Sequence, residues 1–231
     1  MNVCVTSWPT TNKARSCSTV QEIALFPIPE LVAFPGHEVP LHVFEPRYRK
    51  MVTDSVAAER PIGVCHTRKQ IRAAPQLKTT EEALSTNQAT YLPYEIFSAG
   101  PCRILETLDD GRIHAAIEMQ ARYRVISEVQ TLPYKIVRAE RLIDEDAEQE
   151  YPALQREIND SLLALIGEEH QQLRKILAAT SWQEQSSSVF SYRIFQYLKF
   201  DADIMQQLLE CNSIEARLHL VGGLLSGTPV H

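Results

Sequence analysis

The side chains of this 231-residue chain that could do chemistry are seven histidines, five cysteines and one dense polar run, Glu45-Pro46-Arg47-Tyr48-Arg49. His37 and His42 flank a proline-bearing apolar run, with Glu38 and Glu45 beside them. Their odd spacing on a strand puts the two rings on opposite faces, a poor geometry for one metal ion. HExxH does not occur, His114 falls in a strand pattern, and His170 and His219 fall in helical patterns. Surface or hydrogen-bonded histidines are therefore expected, and no metal. Cys4, Cys17, Cys65, Cys102 and Cys211 are odd in number, scattered and without a CxxC pair. That pattern fits free thiols in a reducing cytoplasm better than a disulfide framework or a zinc site. No glycine is followed by the lysine and hydroxyl that a phosphate loop, GxxxxGK[ST], requires. GxSxG is missing too. A triad can still assemble in space, but no residue argues for catalysis, and no cofactor is expected.

The polar run sits at a helix start. Glu45 stands where an N-cap belongs, Pro46 suits the first helical position, and the helix continues to Ala58. Tyr48, Met51, Val52 and Val56 have the spacing of its buried face. The polar cluster has two readings. It is a contact surface, or Glu45 caps the helix while an arginine clamps strand ends through charge-assisted hydrogen bonds. The second is favoured for Glu45 and Arg47, and Arg49 is left open. Three short apolar runs lead up to it: Ile23 to Phe26, cut by Pro27 and Pro29; Leu31 to Phe34, ended by Pro35-Gly36; and Val39 to Phe44. Phe34 and Phe44 are expected in the core of the β-rich half.

This order of residues resembles the opening signature of the Lon N-terminal domain, the substrate-recognition domain of the ATP-dependent Lon proteases. The residues that carry the resemblance are Phe26-Pro27, Phe34-Pro35-Gly36 and Pro40-Leu41-His42-Val43-Phe44-Glu45-Pro46-Arg47-Tyr48. It continues in Gly100, Ile104, Asp110-Gly111-Arg112, Arg122-Tyr123 and Pro133-Tyr134, and in the helical run Gln206 to Glu210 followed by Arg217-Leu218. One departure stands out. The family usually has glycine two residues before the arginine matched by Arg122, and here that residue is Gln120. The bend there must form without glycine.

Along the chain, residues 1–20 are polar and aperiodic and read as a flexible leader. Residues 21–143 read as the β-rich half, with a long polar loop over 67–92 and a short helix near Glu81 to Leu84. Asp109-Asp110-Gly111 predicts a hairpin turn between Tyr94–Leu108 and Gly111–Ile126, and Ile136 to Leu142 is the last strand. The acidic run Asp144 to Glu150 reads as a solvated junction. Residues 144–225 are helical, beginning with a long amphipathic helix interrupted at Gly167, then helices capped by Ser186, Asp201 and Ser213. Residues 226–231 read as a frayed tail. The fold class is thus α+β. The resemblance implies a PUA-like pseudo-barrel followed by an α-helical bundle.

The resemblance implies a non-enzymatic module that binds protein segments, unfolded or damaged, or one specific protein partner, and serves as an adaptor in protein quality control. The resemblance implies that the ATPase of a full Lon protease would begin only after the residues matched here. A net charge of −6 argues against nucleic acid, although the PUA-like fold keeps RNA binding as an alternative. An enzyme with an unrecognised site is the other alternative. No apolar run can span a membrane, and a cytoplasmic location is expected. For peptide contact the sequence offers Tyr91, Leu92 and Tyr94, together with Arg49 and the groove between the two halves, because a binder of unfolded chain must expose apolar area.

Overall fold

The computed structural model describes residues 19–72 and 90–227. The leader as far as residue 18, the proposed helix near Glu81 to Leu84 and the last four residues lie outside them. Ten strands and seven α-helices are found among the described residues. The β-rich half runs β1 (Val20–Pro27), β2 (Glu38–Val43), α1 (Pro46–Ala57), β3 (Ile62–Cys65), β4 (Thr67–Arg72), β5 (Thr90–Pro93), β6 (Ile96–Gly100), β7 (Cys102–Thr107), β8 (Ile113–Glu118), β9 (Ala121–Gln130) and β10 (Ile136–Leu142). The helical half holds α2 (Pro152–Leu165), α3 (Gln171–Ala178), α4 (Thr180–Gln183), α5 (Ser187–Arg193), a 3-10 turn (Ile194–Gln196), α6 (Ala202–Glu210) and α7 (Ile214–Leu225).

Five strands close a barrel in the order β1-β10-β9-β6-β3. Closure is made by β3 returning parallel to β1, with Ala24 opposite Ile62 and Pro27 opposite Cys65. Closing the sheet removes its unpaired edges. The period-two pattern of β1 shows how its residues divide. Ile23 and Leu25 join Phe97, Tyr123 and Val137 in one core cluster, while Ala24 joins Met51, Val52, Ile62 and Ile117 in another. β2, β8 and β7 form a separate three-stranded sheet, and β4 and β5 a two-stranded one.

Several expectations need correction. β1 is eight residues long, because its proline stands at the strand end, where no ladder bond is lost. Leu31 to Phe34 forms no strand. Residues 67–92 are not a plain loop, since β4 and β5 pair antiparallel. The two long runs around the Asp-Gly turn are four strands, broken at Pro101 and again at Met119-Gln120. Gly100 makes the second break passable: a Cβ there would lie 1.8 Å from the Glu118 carbonyl oxygen. Gln120 then donates its backbone N–H to Ala99. The close approach that the Lon pattern suggests for position 120 is thus met by Gly100, across the turn.

In the helical half, Gly167 ends a helix instead of kinking one, so the long amphipathic pattern is α2 and α3. Ser186 and Ser213 cap α5 and α7 as expected, accepting from Val189 and Ala216 N–H, whereas Asp201 makes no side-chain cap. On α1 the buried face is Tyr48, Met51, Val52 and Ser55, and Val56 turns outward.

The two signature phenylalanines part company. Phe34 is fully buried, but in the helical core, stacked 4.1 Å from Phe195. Phe44 is 37% exposed, because alternation along β2 leaves it beyond the last inward residue, Val43. Phe34→Ala should cost roughly 3–5 kcal/mol of stability, read by chemical denaturation. Phe44→Ala should cost about 1 kcal/mol or less, as for a surface position. Equal losses would contradict this assignment.

Candidate functional site

The N-terminal turn of α1 builds the floor of a groove. Pro46 starts the helix, and Glu45 at the N-cap makes no side-chain cap; its carboxylate instead holds Arg47 at 2.9 Å. The Arg47 guanidinium lies 4.5 Å over the Tyr48 ring, and the Phe26 ring packs 4.3 Å from the same Tyr48 ring. Burial pushes the Tyr48 phenol up to about 12, against the opposing pull of Arg47. Tyr134 is also pushed up to about 12, by burial and by the hydrogen bond it donates to Asp54. Both phenols therefore stay neutral at physiological pH and serve as apolar surface with a polar tip.

Two clefts meet over this floor and share Pro27, Arg47, Tyr48 and Tyr91. One is walled by Phe26, Pro29, Leu31, Pro40 and Phe44. The other is walled by Ile71 and Leu92 of the β4–β5 sheet and by Leu132 and Tyr134. Leu132 is 79% exposed and Ile71 60%, with Phe44 and Leu92 also open to solvent. Apolar side chains left in water side by side mark interaction surfaces.

The expected contact residues divide. Tyr91 and Leu92 line this groove. Tyr94 does not: it stacks on His66 at 5.3 Å, lies under Arg68, and donates to Asp203 of α6 at 3.4 Å, joining the two halves. Arg49 points to the β7–β8 hairpin, where its Nη1 donates to the Gly111 carbonyl at 3.3 Å. Gly111 has φ +83°, and a Cβ there would lie 2.5 Å from that nitrogen. Arg49 is thus a clamp on the hairpin. Of the other signature residues, Phe44 rims the groove, while Pro35 and Gly36 line a second cleft between the halves.

The floor of that second cleft overturns the reading of the acidic run. Asp144 and Asp146 are buried, not solvated. Asp144 accepts from Arg122 at 2.6 Å, from Arg217 at 2.6 Å and from the Tyr192 hydroxyl at 3.0 Å. Burial raises the Tyr192 pKa, so its proton stays in place for that bond. Asp146 accepts from the backbone N–H of Ile214 and Glu215 and from the Ser213 hydroxyl, at the start of α7. Sequence reasoning missed these carboxylates because the five acids of the run, Asp144, Glu145, Asp146, Glu148 and Glu150, look alike in charge and solvation. Their one distinguishing signal is the arginines at 122 and 217, far away along the chain. Elsewhere His42 and His114 face each other across β2 and β8, at 4.9 Å between rings. Among the described residues no group of three or more His, Cys, Asp and Glu is placed to hold a metal ion.

A family model for the ATP-dependent protease La (LON) substrate-binding domain matches residues 22–227. The chain belongs to that family. Lon protease 1 of Herpetosiphon aurantiacus is 25% identical over 210 residues, covering 88% of this chain and 24% of that protein. The chain therefore spans about a quarter of the length of this curated relative. Two solved structures share the fold. One is a Lon N-terminal domain protein from Xanthomonas campestris, with TM-score 0.55 and 20% identity over 90% of this chain and 99% of that one. The other is the N-terminal domain of Mycobacterium avium complex Lon protease, with TM-score 0.62 and 15% identity over 89% and 98%. The expected α+β fold, a β-rich pseudo-barrel with a helical bundle, is the fold observed.

The Asp146 carboxylate has a pH signature. Burial opposes its ionisation, but the backbone bonds from Glu215 and Ile214 and the Ser213 and Tyr151 hydroxyls outweigh it and hold the pKa at about 2. An unfolded aspartate titrates near 3.9. The stabilisation is therefore complete above about pH 4 and is lost as pH falls toward about 2. Asp146→Asn should lower stability at neutral pH and flatten its pH dependence in that window, measured by urea denaturation at several pH values. An unchanged slope would show that the bonds do not form.

Proposed function

We propose that this chain is a substrate-binding module that holds exposed apolar stretches of other polypeptides in the groove over α1, without ATP hydrolysis or peptide cleavage of its own. The observation that carries the reading is the row of solvent-exposed Ile71, Leu92, Leu132 and Phe44 around the buried Tyr48 floor. Tyr91 and Leu92 supply contact area. The two-stranded β4–β5 sheet beside them offers an edge to which an extended segment can add. Membership of the substrate-binding family supports a protein ligand, and the proposal extends to a role as adaptor in protein quality control. No helix of the described residues is long and apolar enough to cross a membrane. Cys65, Cys102 and Cys211 carry free thiols, which suits the cytoplasm.

Titration of a labelled, permanently unfolded protein tests the reading. Binding in the micromolar range, about −8 kcal/mol, should persist at high salt, because apolar burial is not screened as charge pairing is. Leu132→Asp and Ile71→Asp should each weaken it about tenfold or more, with melting temperatures unchanged. Binding that disappears at high salt, or that ignores both substitutions, would sink the groove as the site.

A further inference from the structure

We propose that the cleft between the two halves is a separate binding site, specific for the carboxy-terminal end of a polypeptide whose last residue is apolar. The cleft shares no lining residue with the groove over α1. Its walls combine two chemistries. Ile143 and Val189 project apolar side chains that are 52% and 44% exposed. Arg141 and Arg193 line the same space.

The charge of these two arginines is available. Asp144 is the one acid that lines the cleft among the described residues, and Arg122 and Arg217 already grip it. Nearby Glu150 is engaged with the Ser187 backbone N–H at 2.7 Å, and Asp146 with the start of α7. Among the described residues no side-chain partner is found for Arg141. Arg193 makes one long bond, 3.3 Å, to neutral Gln185, and lies 5.7 Å from the Trp182 ring. Two arginines lining a cleft that also exposes aliphatic side chains suit a ligand that is anionic and apolar within a short span. Guanidinium also offers a planar fork matched to carboxylate.

Size and connectivity favour a chain end over an internal segment. The cleft encloses about 300 Å³, the small end of the range for ligand sites. In a terminal residue the carboxylate and the apolar side chain hang on the same Cα. An internal aspartate or glutamate carries its charge at the tip of its own side chain, so a second residue must bring the apolar group. The inference rests on the reading that the chain binds polypeptides, but at different residues, so the two can fail independently.

The test uses the full chain and a short labelled peptide ending in leucine, in free-acid and amide forms, followed by fluorescence anisotropy. The free acid should bind about tenfold or more tightly than the amide, and the difference should shrink as salt rises. Arg141→Gln should bring the free acid down to the amide level with an unchanged melting temperature. Arg193→Gln should do the same, with circular dichroism used to confirm folding. Equal binding of acid and amide would overturn the proposal. So would equal binding of an amidated peptide with one internal glutamate, or an Arg141→Gln chain that still discriminates. Leu132→Asp serves as the internal control: it should weaken the unfolded protein and leave the free-acid peptide untouched. If the unfolded protein fails to bind while the acid peptide binds and discriminates, the groove reading falls and this one stands.

Discussion

One carboxylate holds the two halves of this molecule together. Asp144 lies between the guanidiniums of Arg122, from strand β9, and Arg217, from helix α7, with the Tyr192 hydroxyl as third donor. Side chains this deep pay heavily for leaving water unless every donor finds a partner. Here they do. Arg122 also donates to the carbonyls of Leu209 and Cys211, and Arg217 to those of Leu208 and Cys211. Those carbonyls end α6, where the helix leaves acceptors unpaired and carries partial negative charge. Two guanidiniums sharing one carboxylate leave a positive charge over, and the helix end answers it. The Tyr192 ring beneath Arg217, 4.1 Å away, completes the shell.

This arrangement explains how a barrel and a bundle share one core boundary. Phe34 leaves the β-rich half and packs into the helical core. His37 lies 3.2 Å from the Tyr192 carbonyl, Gln206 donates to Ile96, and Tyr94 reaches Asp203. With the junction held, the groove over α1 can leave Leu132 and Ile71 in water without loosening the barrel under it. Of the exposed apolar residues, Ile71 and Leu92 stand on strands, and Leu132 and Phe44 in the segments that follow strands.

Much of the fold was legible in the sequence because it depends on local pattern. The Asp-Gly hairpin, the strand Ile136–Leu142, the proline-started helix after Glu45 and the serine caps of α5 and α7 all follow from residue chemistry within a few positions. The break at Gly167 and the extra strand pair β4–β5 were harder, since helix ends and polar strands carry weak periodic signals. Phe44 misled because an apolar residue at a strand end has no alternation to place it. Asp144 and Asp146 were illegible for a different reason: their partners lie 22 and 68 residues away. Tyr91 and Leu92 were picked for exposed apolar character and do line the groove. Tyr94 was picked the same way and Arg49 from the polar cluster after Glu45, yet their neighbours turn out to be His66 and Gly111. The change of periodicity near residues 143 and 144 falls on the residue that both halves grip.

The role of Asp144 is tested most directly by residue-resolved hydrogen exchange on Asp144→Ala. Removing one partner of a buried ion pair leaves uncompensated charge and costs roughly 3–5 kcal/mol. If the carboxylate couples the halves, the amides of β9 and of α6 should lose protection together and by that amount. A loss confined to the helices, or one below about 1 kcal/mol in both, would contradict it.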